Sequence, residues 1–211
     1  MKTFDLSVYL VLDPDLCRTA GMVETTRLAV EGGVTIVQLR DKHADKAQMI
    51  ETGRALKAVL AGTGVPLIVN DDVEAAIAIG AGGVHVGQSD MIAAMARERI
   101  GNDMILGLSV ETEELARRID PSVVDYVGIG PVFATATKPD HKKPIGFEGL
   151  ARIVAAAPVP AVAIGGVKAE HAVPALAAGA KGIAVVSAIC GQPDTKAAAR
   201  RIADAIKKAR A

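Results

Sequence analysis

Basic side chains alternate along one short segment, in a pattern that could bind a multiply charged anion. Gln38, Arg40 and Lys42 stand at every second position, so in an extended backbone their side chains point the same way. Arginine offers phosphate oxygens a planar fork of donors, and lysine offers a mobile point charge. The row therefore favours a diphosphate ligand, while pairing of these cations with Asp41 and Asp45 at a solvated strand end is an equal alternative.

Carboxylates after two apolar segments form the second part of the predicted site. Asn70 and Asp71 end one segment, and Asp90 ends the next, GVHVGQSD. Protein-bound Mg²⁺ usually keeps water and takes one or two carboxylates together with substrate phosphate, so this sparse set fits Mg²⁺ better than Ca²⁺. The alternative is that Asp71 or Asp72 and Asp90 cap the helices that follow, which is the commoner use of such residues.

A separate phosphate site is predicted near the end of the chain. The segment AIGGV contains Gly165 and Gly166, and the segment VVS ends at Ser187. Glycine lets a phosphate approach backbone N–H groups closely, and barrels most often bind a phosphate monoester after their last two strands. A tight turn at the glycine pair is the simpler alternative.

The longest irregular stretch, residues 131–146, is predicted to be a loop after the sixth strand. Loops of this length in a compact domain are usually lids or binding loops, so we expect it to close over a bound diphosphate. Thr135, Thr137 and Lys138 within it could clamp an anion, and a polar loop tip without function is the alternative.

Motifs for several other chemistries are missing. The sequence contains no HExxH, CxxC or GxSxG pattern and no GxGxxG after its first apolar strand, which argues against zinc hydrolysis, covalent catalysis and a dinucleotide site. His85 is interpreted as a core or rim residue. Cys17 and Cys190 are far apart and are assigned to the first helix and the eighth strand, so no disulfide is expected.

The elements that would position these residues alternate regularly. Short apolar runs are separated by segments with helical spacing, such as Met49, Gly53, Leu56 and Leu60. Strand–helix alternation predicts parallel pairing with right-handed crossovers, and eight such units close into a barrel. The strands are predicted at residues 8–13, 36–40, 67–71, 83–87, 105–109, 126–130, 161–166 and 182–187.

The fold class predicted from this pattern is α/β, a single-domain (β/α)8 TIM barrel over residues 1–211. The polar residues at the carboxyl ends of its strands would meet at one rim, where barrels place their catalytic groups. Glycines at 32–33, 82–83 and 179 are expected to end helices in left-handed geometry. An open doubly wound sheet has the same alternating signature and is the structural alternative.

Composition argues against nucleic acid and membrane as partners. Lys plus Arg and Asp plus Glu number 24 each, and the chain has no Trp, two Tyr and three Phe, so it offers neither a basic field nor an aromatic platform for bases. The sequence has no apolar run of membrane-spanning length and no signal-peptide pattern. We expect a cytoplasmic protein with small-molecule partners, and a homo-oligomer is compatible with the sequence.

Seven short segments closely resemble the thiamine phosphate synthase family, in order and across nearly the whole chain. They are VQLRDK (37–42), VND (69–71), GVHVGQSD (83–90), GLS (107–109), GIGPVFATATK (128–138), AIGGV (163–167) and VVSAI (185–189). Several are weak signals by themselves. Their order along the barrel strands is what makes the resemblance specific.

The resemblance implies that Asp71 and Asp90 hold Mg²⁺ and that thiazole nitrogen displaces diphosphate from the methylene carbon of an aminopyrimidine. The implied ligands of the pyrimidine diphosphate are Gln38, Leu39, Arg40, Asp41, Lys42, Asn70, Ser109 and Lys138. The implied ligands of the thiazole phosphate are Thr135, Ala136, Thr137, Gly166, Val186 and Ser187. The implied catalytic residues are Arg40, Lys42, Ser109 and Lys138.

Three other functions on the same barrel stay open at this point. A thiazole tautomerase would bind thiazole phosphate without needing the basic row and both aspartates together. A non-catalytic regulator that binds thiamine precursors would also tolerate loss of that row. A sugar-phosphate isomerase or epimerase should present an acid–base pair at the rim, which the sequence does not offer.

Overall fold

Eight strands form the centre of the computed structural model, which describes residues 3–88, 90–135, 137 and 143–211. The strands are β1 (Val8–Leu12), β2 (Ile36–Leu39), β3 (Leu67–Asn70), β4 (Gly83–Val86), β5 (Ile105–Val110), β6 (Tyr126–Ile129), β7 (Ala161–Ile164) and β8 (Ile183–Val185). Each pairs in parallel with its neighbours in sequence, and pairing of β1 with β8 closes the ring. The predicted barrel is therefore confirmed, and the open doubly wound sheet is excluded.

Helices alternate with the strands around the outside of the barrel. They are α1 (Met22–Glu31), α2 (Lys46–Leu60), α3 (Val73–Ile79), α4 (Ala93–Ile100), α5 (Glu113–Arg117), α6 (Gly146–Ala156), α7 (Ala172–Ala177) and α8 (Thr195–Arg210), with a short 3-10 helix at Ala169–His171. Within the described residues, no helix is both long enough and apolar enough to cross a membrane.

The predicted strands are all present, but most of them end one or two residues earlier than predicted. Residues such as Asp13, Arg40 and Asp71, which were assigned to strand ends, lie just beyond the last paired residue. The chain turns towards the next helix at these points. Because the turn frees these side chains from the sheet, they can face the mouth of the barrel.

Side chains on the strands alternate between the barrel interior and the layer beneath the helices. On β1, Tyr9 and Val11 belong to an interior cluster with Ile68, whereas Leu10 and Leu12 pack in the outer core. Both faces of the strands are therefore buried. This explains why the strands are apolar almost throughout rather than at every second position.

The helical spacing predicted for α2 is confirmed. Its buried residues are Met49, Gly53, Leu56 and Leu60, which form one face of the helix. A Cβ atom at Gly53 would lie 2.3 Å from Cδ1 of Ile79. The glycine therefore lets α2 approach α3 more closely than a larger residue would permit.

One of the predicted glycine helix ends is wrong. Helix α3 ends at Gly80, which has a left-handed φ of 63°, and not at residues 82–83. A Cβ atom at Gly83 would lie 2.4 Å from the carbonyl oxygen of Ile105, so this glycine serves close strand packing. Left-handed glycines are confirmed at Gly33 and Gly179, where φ is 107° and 95°.

The two cysteines lie outside the elements to which they were assigned. Cys17 lies on the turn before α1, and Cys190 follows β8. Both thiols are free and buried, and they hydrogen-bond to each other. Residues far apart in sequence therefore meet in the core, because β1 and β8 are neighbours in the closed barrel.

A buried arginine joins the segments at the amino ends of β5 and β6. Arg97 of α4 donates to Oδ2 of Asp125 at 2.6 Å and to the backbone carbonyls of Gly101, Met104 and Val123. Its side chain is 10% exposed. The guanidinium thus supplies the hydrogen bonds that three carbonyls and one carboxylate need away from bulk water.

We expect Arg97→Ala to lower the free energy of unfolding by about 3–5 kcal/mol, because the substitution leaves the Asp125 carboxylate poorly solvated and without its cation. Arg99→Ala, which removes an exposed partner of Glu74, should cost less than about 1 kcal/mol. Urea denaturation followed by circular dichroism would measure both. Equal losses in the two variants would contradict a special role for Arg97.

Candidate active site

The predicted polar residues follow the carboxyl ends of neighbouring strands. Asn70, the last residue of β3, pairs with His85 of β4, and Ser109 of β5 pairs with Gly128 of β6. Asp71 comes directly after β3. Since all strands of a parallel barrel point the same way, these residues share one rim.

Asp71 adopts a backbone conformation that is uncommon for a residue with a side chain. Its φ is 63°, in the left-handed region where Asp and Asn occur more often than other non-glycine residues. Its N–H donates to the carbonyl of His85 at 2.8 Å, which fixes the turn against β4. The next residue, Asp72, caps α3 by accepting the N–H of Ala75, so Asp71 is not needed as the cap.

Asp90 does not cap the following helix either. The cap residue of α4 is Ile92, and no side chain bonds the helix end. Instead, Oδ2 of Asp90 accepts the N–H of Gly87 at 2.7 Å, and the Asp90 carboxyl makes hydrogen-bonding contact with that of Asp71. The two aspartates predicted to hold a metal ion are therefore brought together.

The contact between these carboxyls changes the acidity of Asp71. Burial is the largest cause, and the hydrogen bond and negative charge of Asp90 add to it, raising the pKa of Asp71 from 3.8 to about 6. The charges of Lys42 and Arg40 act in the opposite direction. An ionised carboxylate pair at this position is therefore electrostatically unfavourable unless a further cation joins it.

Asp71 and Asp90 provide only two carboxylate ligands. This suits Mg²⁺ better than a metal ion whose ligands all come from the protein. Among the residues that the structure describes, no group of three or more His, Cys, Asp or Glu side chains is placed to hold a metal ion. Mg²⁺ accepts such a sparse set because water and substrate phosphate complete its octahedral shell. Asp71 and Asp90 would be its protein ligands.

The basic residues lie within electrostatic range of the carboxylate pair. Arg40 is half-buried and Lys42 is exposed, and both lower the pKa of Asp71. The carboxylate of Asp41 accepts two backbone N–H groups of its own turn, and Asp45 caps α2. Among the described residues, neither Arg40 nor Lys42 forms an ion pair with Asp41 or Asp45, which was the alternative to ligand binding.

Gln38 and Leu39 are more deeply buried than Arg40 and Lys42. Gln38 is only 5% exposed, and its Nε2 donates to the hydroxyl of Tyr9 inside the barrel at 2.8 Å. Its amide therefore lies inside the barrel, and its contact with a ligand stays a prediction. The side chain of Leu39 is buried in the outer core, so only its backbone could contact a ligand at the rim.

The glycine pair after β7 forms a tight turn against the loop that follows β6. Gly165 and Gly166 have φ of 93° and 63°, which side chains rarely tolerate. The N–H of Phe133 donates to the carbonyl of Gly165 at 2.9 Å, and a Cβ at Gly166 would lie 2.6 Å from the carbonyl oxygen of Ala134. The turn alone therefore requires both glycines, and phosphate binding by them stays a prediction.

The two threonines of the predicted anion clamp are close to each other. The Oγ1 atoms of Thr135 and Thr137 are 2.8 Å apart, and the N–H of Thr137 also donates to Thr135. Because Thr135 follows directly after the segment packed on the glycine turn, both hydroxyls belong to this part of the rim. Ala136 and Lys138 lie outside the described residues, and their roles stay predictions.

The end of β8 adds a neighbouring part of the same rim. Ile164 and Ala184 are paired in register, so Gly166 and Val186 each lie two residues beyond paired positions on adjacent strands. Val186 is half-buried and packs on the interior cluster, and Ser187 is exposed. The structure thus brings the loops of β6, β7 and β8 together at the same mouth of the barrel as the carboxylate pair, but on the other side of the ring.

Two tyrosines that fill the barrel interior beside His85 were not predicted from the sequence. The hydroxyls of Tyr9 and Tyr126 lie 2.7 Å apart, and Nδ1 of His85 lies 2.9 Å from Tyr126. The period-two pattern of β1 and β6 could have found them, because it places both tyrosines of the chain on inward-facing positions. Buried tyrosine hydroxyls usually have a partner, which should then have been sought on other strands.

Of two surface grooves in the described residues, one lies away from this constellation and the other borders it at Asp41. One, of about 470 Å³, is lined by Val8, Thr35 and Lys207 at the opposite end of the barrel and includes none of the predicted residues. The other, of about 440 Å³, runs along the start of α2 and includes Asp41. Neither groove contains the carboxylate pair, so the chemical arrangement rather than groove size marks the site.

The amino-acid sequence matches a known protein family over most of its length. The family model described as thiamine monophosphate synthase matches residues 8–189 of the chain. The chain belongs to the thiamine monophosphate synthase family. As a member of this family it is a transferase, and the match spans the basic row, both aspartates, the glycine turn and the end of β8.

Relatives of this family cover the chain from end to end. The thiamine-phosphate synthase of Azorhizobium caulinodans is 49% identical over 207 residues, which is 98% of each chain. That of Xanthobacter autotrophicus is 47% identical over 209 residues, or 99% of each chain. The solved structure of thiamine phosphate pyrophosphorylase from Pyrococcus furiosus superposes with a TM-score of 0.87 at 35% identity, covering 97% of this chain and 96% of that one.

The raised pKa of Asp71 makes a prediction about stability and pH. The folded protein binds the proton of Asp71 more tightly than the unfolded chain does, since the pKa is about 6 rather than 3.8. Below pH 3.8 both states are protonated and this residue costs nothing, whereas above pH 6 its ionised form opposes folding. In chelator, Asp71→Asn should therefore raise the free energy of unfolding at pH 8 by about 1–2 kcal/mol, after allowance for solvent screening.

The same substitution should change stability little near pH 4, where the carboxyl is already largely protonated in the folded protein. Urea denaturation at both pH values measures the difference. Asp204→Asn on the exposed side of α8 controls for loss of one surface charge. A destabilised Asp71→Asn variant at pH 8 would contradict the unfavourable carboxylate contact.

Proposed function

We propose that this transferase joins 4-amino-2-methyl-5-(diphosphooxymethyl)pyrimidine to thiazole phosphate, with Mg²⁺ as its cofactor, and releases thiamine phosphate and diphosphate. The observation that carries the proposal is the contact of Asp71 with Asp90 within range of the charges of Arg40 and Lys42. Two carboxylates for a divalent ion and two cations for phosphate oxygens then lie at one place on the rim.

The proposed reaction needs charge neutralisation more than proton transfer. The lone pair of the thiazole nitrogen forms a bond to the methylene carbon, and the bond from that carbon to the diphosphate oxygen breaks with its electron pair leaving on oxygen. If the second event comes first, the amino-substituted pyrimidine spreads the positive charge. Catalysis is then mainly positioning, leaving-group neutralisation and exclusion of water.

Basic and acidic residues of the rim would neutralise the diphosphate group of the pyrimidine substrate. Arg40 and Lys42 would bind the phosphate oxygens, and Asn70 and Asp41 would provide further contacts to this substrate. Bound Mg²⁺ would supply further neutralisation of the leaving group. Burial and the neighbouring Asp90 both disfavour the ionised form of Asp71, and a divalent cation held by the two carboxylates would offset both effects.

The thiazole phosphate would bind on the other side of the mouth. The turn of Gly165 and Gly166 and the hydroxyls of Thr135 and Thr137 lie on adjoining loops, and Ser187 adds a further hydroxyl. A phosphate held there leaves the thiazole ring directed towards the barrel interior. We also propose a cytoplasmic location, which suits free thiols and small phosphorylated substrates.

Incubation of the purified protein with both substrates tests this function. We expect thiamine phosphate and diphosphate in equal amounts, only when Mg²⁺ and both substrates are present. A thiazole tautomerase would convert its substrate without releasing diphosphate, and a regulator would bind precursors without turnover. Absence of diphosphate release would end the proposal in favour of one of these alternatives.

We further expect Lys138→Ala to lower turnover by about 10²–10³-fold, the usual cost of removing one group that neutralises developing charge. Lys143→Ala, an exposed position of the same inter-element segment, is the matched control and should retain most activity. Diphosphate release at saturating substrate measures both. Similar rates in Lys138→Ala and the wild type would remove Lys138 from the catalytic set.

A further inference from the structure

A continuous line of hydrogen bonds crosses the interior of the barrel. Nε2 of Gln38 donates to the hydroxyl of Tyr9 at 2.8 Å, and the hydroxyls of Tyr9 and Tyr126 are 2.7 Å apart. The Tyr126 hydroxyl is 2.9 Å from Nδ1 of His85, whose Nε2 is 2.9 Å from Oγ of Ser109. The two ends of the line, Gln38 and Ser109, are residues that the family resemblance implies as ligands of the pyrimidine substrate.

Each hydroxyl in this line can donate only one hydrogen, so the line takes its direction from the Gln38 amide, whose Nε2 faces Tyr9. Tyr9 accepts from Gln38, so it donates to Tyr126, which in turn donates to Nδ1 of His85. A neutral imidazole that accepts at Nδ1 carries its hydrogen on Nε2. His85 therefore donates to Oγ of Ser109, which leaves the Ser109 hydroxyl hydrogen for another acceptor.

The hydroxyls of the two tyrosines stay protonated because they are buried away from water. Both are buried, with exposures of 1% for Tyr9 and 0% for Tyr126. Burial is the first cause that raises the pKa of each phenol above its ordinary value. Neither hydroxyl can exchange its partner for bulk water, so reversing one bond would require reversing its neighbours.

Glycines make the room in which His85 and Tyr126 meet. Gly107 of β5 is paired in register with His85 on one side and with Tyr126 on the other. A Cβ at Gly107 would lie 2.4 Å from the Tyr126 hydroxyl and 2.5 Å from Nδ1 of His85. The side chains of β4 and β6 therefore bond across the face of the strand that separates them.

We infer that Tyr9, Tyr126 and His85 are positioning residues that select an aminopyrimidine by fixing the hydrogen-bond polarity of Gln38 and Ser109. The line holds Oε1 of Gln38 as an acceptor towards the substrate and Oγ of Ser109 as a donor. This inference rests on the proposed function and names what sets the specificity of the same site.

The polarity matches one form of the pyrimidine and not its close analogue. A 4-aminopyrimidine offers an amino donor for Gln38 and ring nitrogens that accept from Ser109. The 4-oxo analogue replaces the amino group by a carbonyl and adds a hydrogen to the adjacent ring nitrogen, so its polarity is reversed there. Sites built to hydrogen-bond a polar group reject analogues that leave their buried groups unpaired.

Nitrogen NMR of the wild-type protein tests the direction without any substrate. In protein labelled with ¹⁵N, the resonances of His85, assigned by their loss in His85→Gln, should show hydrogen on Nε2 and none on Nδ1. Tyr126→Phe removes the donor to Nδ1, so the imidazole should change to a mixture of the two tautomers. Hydrogen on Nδ1 in the wild type would overturn the inference.

Kinetics with two substrates tests the consequence for specificity. Tyr126→Phe should raise KM for the pyrimidine diphosphate by about five- to thirtyfold, the usual effect of losing one buried hydrogen bond. It should leave KM for thiazole phosphate unchanged and lower the preference for the 4-amino over the 4-oxo substrate by a similar factor. Thr26→Val, which removes a buried hydroxyl bonded to Met22 in α1, is the control and should change neither KM.

These measurements separate the possible failures. Unchanged preference in a folded Tyr126→Phe variant would overturn the positioning role, and Tyr9→Phe provides the same test if Tyr126→Phe does not fold. Equal changes in both KM values would indicate a general structural effect and would also overturn it. Absence of diphosphate release by the wild type would refute the proposed function, whereas the tautomer of His85 would still report on the line itself.

Discussion

Parallel pairing around a closed ring is the constraint on which the rest of this molecule depends. Every neighbouring pair of strands is parallel, and pairing of β1 with β8 closes the ring, so all eight strands run in the same direction and end at the same rim. Residues from distant parts of the sequence therefore lie at one mouth of the barrel, even where they do not contact each other. The carboxylate pair and the basic residues beside it are a consequence of this geometry.

The same closure creates an interior that is shielded from water, and this changes the behaviour of polar groups. Asp71, at the edge of the interior, holds its proton more tightly than a solvated aspartate. Gln38 and the two tyrosines, which lie deeper, satisfy one another. The site therefore has an outer part dominated by charge and an inner part dominated by the direction of neutral hydrogen bonds.

The sequence was sufficient to predict features that depend on local periodicity. Alternating apolar runs located all eight strands, and spacing along α2 identified its buried face. Polar residues directly after strands were also assigned to the correct rim, because parallel order makes that inference independent of distance in sequence. The family resemblance then assigned these residues to ligands, a step that spacing alone did not supply.

Features that depend on contacts between distant segments were not predicted. The tyrosine pair joins residues 117 positions apart, and the side-chain direction of Gln38 depends on Tyr9 on another strand. The left-handed turn at Asp71 is fixed by a hydrogen bond to His85 on the neighbouring strand. Periodicity predicts on which face of a strand a side chain lies, but it does not identify the residue on another strand to which that side chain bonds.

Gly107 restricts which residues can occupy positions 85, 107 and 126 together. Because a methyl group there would overlap both His85 and Tyr126, the glycine cannot change first while the other two keep their size. Loss of either ring first would leave hydroxyls or ring nitrogens without partners inside the barrel. Each single change among the three positions therefore carries a cost, either a steric overlap at Gly107 or a hydrogen bond lost inside the barrel.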